Sequence, residues 1–426
     1  MHQPTGKYRW TVVALLFFAT TINYLDRQVI SLLKPALEKE FNWTESDYGK
    51  LVMSFSAAYA LGLLFFGRMI DRIGTRLGYA VSIVWWSVAA MLHAGARSVA
   101  GFAAARALLG VGESGNFPAA IKAVAEWFPK KDRAFATGIF NSGTNIGAVA
   151  APILVPLITA AFGWQMAFVL TGALGFFWLV FWLVFYEVPA RQKRLTQAEY
   201  VYIRSDAAEQ TVDDIPVGWG RLFRIRQTWA FLFGKMLTDP IWYFFLFWLP
   251  SYFSTTFQID LKKPSPELVI IYTASSIGSI GGGYLSGRLI RNGWPVFRAR
   301  KASMLLFALC VLPIVTARFA GNVWVVVGLI SLATAAHQAW SANMYTTVSD
   351  MFPAKAVSSV VGIGGMAGAV GGILFPLFIG QLLDAYKSSG NLGGGYNLLF
   401  AMCGLAYLAA WCLMHFFAPK MEKVNL

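Results

Sequence analysis

The chain has 426 residues, of which 57% are hydrophobic and only 13% charged, about half the charged share of an ordinary soluble domain. A soluble protein of this length cannot hide so much apolar surface. Its formal charge of +14 would suit nucleic acid, but Lys and Arg gather in short connections beside apolar runs, as expected near lipid head groups on one membrane face.

In chain order, apolar runs at 10–33, 47–69, 77–97, 99–122, 133–160 and 164–187 reach or approach the roughly 20 residues that cross a bilayer as helix. The first follows a short tail carrying Lys7 and Arg9. It is too long for a signal-peptide core and has no evident small-residue cleavage site, so it is expected to be retained. A polar interval, 189–226, holds Arg191, Lys193, Arg194, Asp206, Glu209, Asp213, Asp214 and Pro216 and reads as a linker with one surface helix. Six more runs follow at 227–257, 266–288, 299–318, 322–347, 356–385 and 394–418. The expected fold is therefore all-α: twelve transmembrane helices in two pseudo-symmetric bundles, 1–188 and 227–426. The heaviest basic clusters are Arg68, Arg72 and Arg76; Lys122, Lys130, Lys131 and Arg133; and Arg288, Arg291, Arg298, Arg300 and Lys301. They put those connections and both termini on the cytoplasmic side. Cys310, Cys403 and Cys412 lie in apolar spans without ligand-like spacing.

The two halves repeat at an offset of 224 residues. Phe128-Pro129 matches Phe352-Pro353, Gly138 matches Gly362, Gly147 matches Gly371, Pro152 matches Pro376, and Glu126 stands against Asp350. Repeated halves around a central site are the architecture of alternating-access carriers. Glycines at 138, 143 and 147 and at 364, 365, 368, 371 and 372 give small helix faces where backbones can approach.

Within the spans stand Asp26, Arg27, Arg106, Glu113, Lys235, Asp239 and His337. Charge at membrane depth costs on the order of 2.5–3.5 kcal/mol or more per residue and usually faces a partner or a wet cavity. Counting about 1.5 Å per helical residue puts Glu113, His337 and Lys235 near the midplane, about 12–15 Å from the cytoplasmic ends of their spans. Asp26, Arg27 and Arg106 come out higher, at about 24 Å. Arg106 and Glu113, seven residues apart, share a helix face.

Gly67-Arg68-Met69-Ile70-Asp71-Arg72-Ile73-Gly74-Thr75-Arg76 resembles the signature loop of the major facilitator superfamily. Its glycines permit a tight turn, and Asp71 can accept from helix N-termini and nearby arginines, so Gly67, Asp71, Arg72, Gly74 and Arg76 form the expected gating loop. The counterpart, Gly283 to Gly293, keeps Gly287, Arg288, Arg291 and Gly293 but lacks the acid, which weakens a symmetric gate there. More locally, Asn23-Tyr24-Leu25-Asp26-Arg27, the stretch Arg106 to Pro118, and Glu126-Trp127-Phe128-Pro129 resemble the anion:cation symporter family. Ala336 to Asn343, followed by Val348 to Phe352, looks most like its bacterial hexuronate transporters.

The resemblance implies a bacterial inner-membrane carrier, with Arg106 and Glu113 facing the translocation path and Arg27 contacting a substrate carboxylate. Asp26 belongs to the wider family pattern, but hexuronate carriers do not all have an acid there, which leaves its proton role open. From the residues themselves, a buried guanidinium or ammonium requires a negative partner, so the expected substrate is a small organic anion. Arg27 fits a carboxylate bidentately. Lys235 is either a second cation for the anion or the i, i+4 partner of Asp239. Candidates for sugar hydroxyls are Tyr24, Tyr59, Thr144, Asn145, Trp242, Tyr243, His337, Gln338, Ser341 and Asn343.

For coupling, Glu113 is the best placed proton carrier, with Arg106 and Asp26 as partners. Sodium is the weaker alternative, since no cluster of oxygen ligands is visible. The 224-residue offset sets His337 opposite Glu113. No zinc spacing, nucleophile elbow or phosphate loop is present, so neither an enzyme, a metal site nor a cofactor is expected; nor is nucleic acid a partner. A non-transporting receptor is the remaining different class. Among carriers, hexuronates such as glucuronate and galacturonate lead, other sugar acids such as galactonate or glucarate follow, and a small carboxylate is third. A monomer in the lipid bilayer is expected.

Overall fold

The computed structural model describes residues 6–205, 217–247, 249–258 and 266–424. The linker residues Asp206, Glu209, Asp213, Asp214 and Pro216 lie outside them. Among the described residues every regular element is helical. The N-terminal half comprises α1 (Tyr8–Phe41), α2 (Glu45–Ile73), α3 (Thr75–Leu92), α4 (Val99–Glu113), α5 (Asn116–Trp127), α6 (Lys130–Phe162) and α7 (Trp164–Phe185). The linker contributes α8 (Gln197–Ile203) and α9 (Trp219–Leu222). The C-terminal half comprises α10 (Arg226–Phe247), α11 (Leu249–Phe257), α12 (Pro266–Arg291), α13 (Val296–Val311), α14 (Val323–Met351), α15 (Ala354–Ser388) and α16 (Leu392–Phe417).

Twelve spans in two six-span bundles result, with α4–α5 and α10–α11 each counting as one span. Among the described residues, nine helices are long and apolar enough to cross a membrane on their own. The other three spans carry the isolated charges: Asp26 and Arg27 on α1, Arg106 and Glu113 on α4–α5, and Lys235 and Asp239 on α10–α11. Large apolar side chains such as Leu157, Phe177, Val180 and Ile277 stay more than half exposed, which suits a lipid-facing belt.

The fourth span differs from the continuous helix expected over 99–122. It is interrupted at Ser114-Gly115, between α4 and α5. There the Ser82 hydroxyl donates to the Gly112 carbonyl at 2.7 Å, and Gly115 N–H reaches the same carbonyl at 3.3 Å. The interruption leaves Glu113 at the last turn of α4.

Two seams join the halves: α2 against α15, and α6 against α12. Repeat-related glycines sit one in each. A methyl group on Gly138 would strike the backbone of Ser279, and one on Gly362 the backbone of Leu63, so only glycine lets these helices approach as they do. Gly147 and Gly371 hold the corresponding places inside the bundles, packing α6 on α1 and α15 on α10. The repeat read from sequence is thus a repeat of packing.

On the face with the basic clusters, the linker helix α8 anchors the first span. Glu199, 1% exposed, accepts from the backbone N–H groups of Tyr8 and Arg9 at 3.0 and 3.1 Å and pairs with the Arg9 guanidinium at 3.0 Å. Its carboxylate fills the place of an N-cap supplied from another segment.

Candidate functional site

Between the halves, near mid-span, lies a cavity of about 80 Å³, room for several waters. Its wall is built by Tyr24, Arg27, Tyr59, Leu63, Phe117, Asn141 and Thr144 from one half. The other contributes Lys235, Asp239, Trp242, Tyr243, His337, Gln338, Ser341, Tyr345, Val361, Gly365 and Ala369.

Arg27 faces this space from α1. Its guanidinium is held among the rings of Tyr24, Phe55 and Tyr59, 4.6–5.0 Å from their centroids, where the ring quadrupoles favour a cation. Behind it, Nε and Nη2 both lie 2.9 Å from Oε2 of Glu113. Glu113 is fully buried, whereas the Arg27 side chain is 20% exposed, so the arginine stands between the acid and the cavity. The second Glu113 oxygen, Oε1, has no hydrogen-bond partner among the described residues.

Arg106 and Asp26, expected as partners of Glu113, are buried but make no ion pair among the described residues. Arg106 donates instead to the Arg27 carbonyl at 3.4 Å. Glu113 takes the Arg27 guanidinium.

Of the two readings of Lys235, the structure shows the pair with Asp239, placed on the cavity wall. Nζ is 2.8 Å from Asp239 Oδ2 and donates to the Tyr345 hydroxyl at 2.9 Å, and all three residues line the cavity. His337 stacks on Trp242 with centroids 5.0 Å apart and planes 4° from parallel. Gln338 accepts from Asn141 Nδ2 at 2.8 Å, and the same amide donates to Ser279 at 3.0 Å, tying the two halves together at the floor.

Asn145 and Asn343 are corrections: neither lines the cavity. Asn343 donates to the carbonyls of Gly282 and Ala339 at 3.1 and 2.9 Å, fastening α14 to α12. On a helix of 3.6 residues per turn it points about 200° from Ser341, and Asn145 about 100° from Thr144. The same arithmetic finds two wall residues missed in the sequence. Asn141 is three before Thr144, and Tyr345 is four after Ser341. Phe117, stacked on Tyr345 at 5.1 Å, had no polar signal to mark it.

Below the cavity the halves are joined on the basic face. Asp71 accepts from Lys122 at 3.0 Å and from the backbone N–H groups of Ser358 and Ser359, in the early turns of α15, at 3.2 and 2.7 Å. Gly67 abuts the Ser358 carbonyl, and Gly74, at φ 85°, turns the chain from α2 into α3. Of the five expected gating residues, then, Gly67 and Asp71 touch the other half. Arg76 pairs within its own half, with Glu187 at 2.7 Å, and Arg72 is exposed, because both lie past the point where α2 leaves the seam.

The acid missing from the second loop comes from elsewhere. Asp132 at the start of α6 lies 3.3 Å from Arg291 and accepts from Tyr202 of α8 at 2.7 Å. Asp350 takes Arg300 at 3.0 Å and Arg133 at 3.4 Å. No group of three or more His, Cys, Asp or Glu able to hold a metal ion occurs among the described residues.

Two repeated six-span bundles around a polar cavity define a multi-pass membrane protein of the carrier type. The comparisons agree. The family model of the Major Facilitator Superfamily matches residues 16–376. The hexuronate transporter of Escherichia coli (strain K12) is 33% identical over 413 residues, 95% of this chain and 94% of that one. The galacturonate transporter of Dickeya chrysanthemi is 34% identical over 279 residues, 65% of this chain and 81% of that one. A solved proton:xylose symporter shares the fold, with a TM-score of 0.75 at 15% identity and 97% of each chain covered. The chain belongs to the major facilitator superfamily, whose members are transporters and not enzymes.

Proposed function

We propose that this chain imports a sugar-acid anion, a hexuronate such as glucuronate or galacturonate, by proton symport through alternating access. The basic face is the cytoplasmic face of a bacterial inner membrane, both termini lie there, and the working unit is a monomer. The observation that carries this reading is the Arg27–Glu113 pair, in which a cation on the cavity wall is neutralised from behind by a buried acid.

A substrate carboxylate reaches Arg27 but not Glu113. When a proton neutralises Glu113, the guanidinium loses its internal partner and its fork is free for the incoming carboxylate, a bidentate match. Each event favours the other, and that mutual dependence couples proton to substrate. The hydroxyl, amide and imidazole groups of Tyr24, Tyr59, Thr144, Tyr243, His337, Gln338 and Ser341 suit a sugar ring, with Trp242 as an apolar wall. The relatives named for hexuronate and galacturonate support this choice of anion.

With the basic face inward, the seams of Asp71, Asp132 and Asp350 close the cytoplasmic side, and their release opens it. Counterflow into proteoliposomes preloaded with glucuronate tests the substrate. Labelled glucuronate and galacturonate should exchange, and neutral hexoses should not. A panel in which only neutral sugars, or only small dicarboxylates, exchange would contradict the assignment.

A further inference from the structure

Tyr407 lies on α16, fully buried and outside the cavity wall. Its hydroxyl meets Nδ1 of His337 and has no other hydrogen-bond partner among the described residues. The imidazole is fixed on its second side by the parallel face of Trp242, 5.0 Å away, and the Tyr407 ring meets its edge at 86°. The ring is therefore held in plane by one neighbour and in rotation by another. Of its two nitrogens, only Nδ1 has a protein partner; His337 lines the cavity, and Nε2 is the atom left to face it.

Which nitrogen carries the proton follows from counting donors. If Nδ1–H donated to Tyr407, the phenolic proton would be buried with no acceptor, a costly arrangement that folded proteins avoid. If the phenol donates to Nδ1, both groups are satisfied and the imidazole proton stands on Nε2, pointing into the cavity. The neighbouring Lys235 is itself held by Asp239 and Tyr345.

We propose that Tyr407 is a positioning residue that fixes His337 as an Nε2–H donor to a substrate oxygen. Gln338 continues the same surface. Its carbonyl already accepts from Asn141, so its amide is left to donate beside the imidazole. This side of the cavity then reads oxygen acceptors, carboxylate or hydroxyl, and discriminates against analogues that lack one at that place. The proposal rests on the cavity being the substrate site, and its test separates the two.

Nitrogen-15 NMR of histidine-labelled protein without substrate reports the tautomer directly, the His337 signals being assigned by their loss in His337→Gln. The expected pattern is Nε2 protonated and Nδ1 unprotonated; a proton on Nδ1 overturns the proposal whatever transport does. In transport, Tyr407→Phe should raise KM about fivefold or more with the maximal rate kept within about twofold. In the His337→Gln background, whose amide can still donate, Tyr407→Phe should add less than about twofold, because coupled sites do not add. Full additivity also overturns it. If the tautomer is as expected while His337→Ala leaves KM unchanged, the cavity assignment has failed and the positioning role in the fold stands.

Discussion

At the level of single residues, the site was legible where chemistry demanded an exception to the membrane's apolar rule. Arg27, Lys235 and His337 announced themselves because charge or imidazole in a span is rare, and all three line the cavity. The sequence could not show partners. Arg27 and Glu113 are 86 residues apart, and which of two guanidinia the acid takes depends on how α1 and α4 are packed. Asn343 looked like His337 and Gln338 in type, but helix phase turns it to α12. A consequence at this scale concerns Lys235. Lys235→Ala leaves Asp239 facing the cavity without its cation, and should cost about 3 kcal/mol of stability, whereas Lys235→Ala with Asp239→Asn should recover most of it. Thermal melting in detergent reads both; equal losses in single and double variants would contradict the pairing.

Among the elements, most spans could be read from hydropathy, since a bilayer fixes helix length, whereas the three that carry the isolated charges fall short of it as single apolar helices. The interruption between α4 and α5 could not, because it goes with a contact from the hydroxyl of Ser82, thirty residues away, to the Gly112 carbonyl. The repeat, by contrast, carried packing information in its glycines. Gly138→Leu should block the close approach of α6 to α12 and lower counterflow at least tenfold while expression persists; undiminished counterflow would mean that this seam does not govern transport. The linker helix was expected as a surface piece, but Glu199 is buried against the start of α1. Glu199→Gln keeps the shape and removes the charge, so a loss of about 1–2 kcal/mol is expected, read as a lower melting temperature. A melting temperature unchanged in Glu199→Gln would place the anchoring elsewhere.

Over the whole molecule, the cavity sits between two similar bundles whose joined seams lie on one side of it. Asp71 on the N–H groups of α15, Asp132 on Arg291 and Asp350 on Arg300 and Arg133 are polar contacts on an interface kept thin by glycine. Such contacts can be exchanged for others at small net cost, which suits a protein that must populate two arrangements of the same bundles. In the proposed mechanism the Arg27–Glu113 pair links those arrangements to a proton gradient. The most direct test follows a pH dye trapped in proteoliposomes while glucuronate is added outside, in the wild type and in Glu113→Gln. The wild type should acidify the lumen as substrate enters, whereas Glu113→Gln should still exchange substrate in counterflow with no proton signal and no uphill uptake. Proton entry or uphill uptake that persists in Glu113→Gln would contradict the coupling role assigned to this acid.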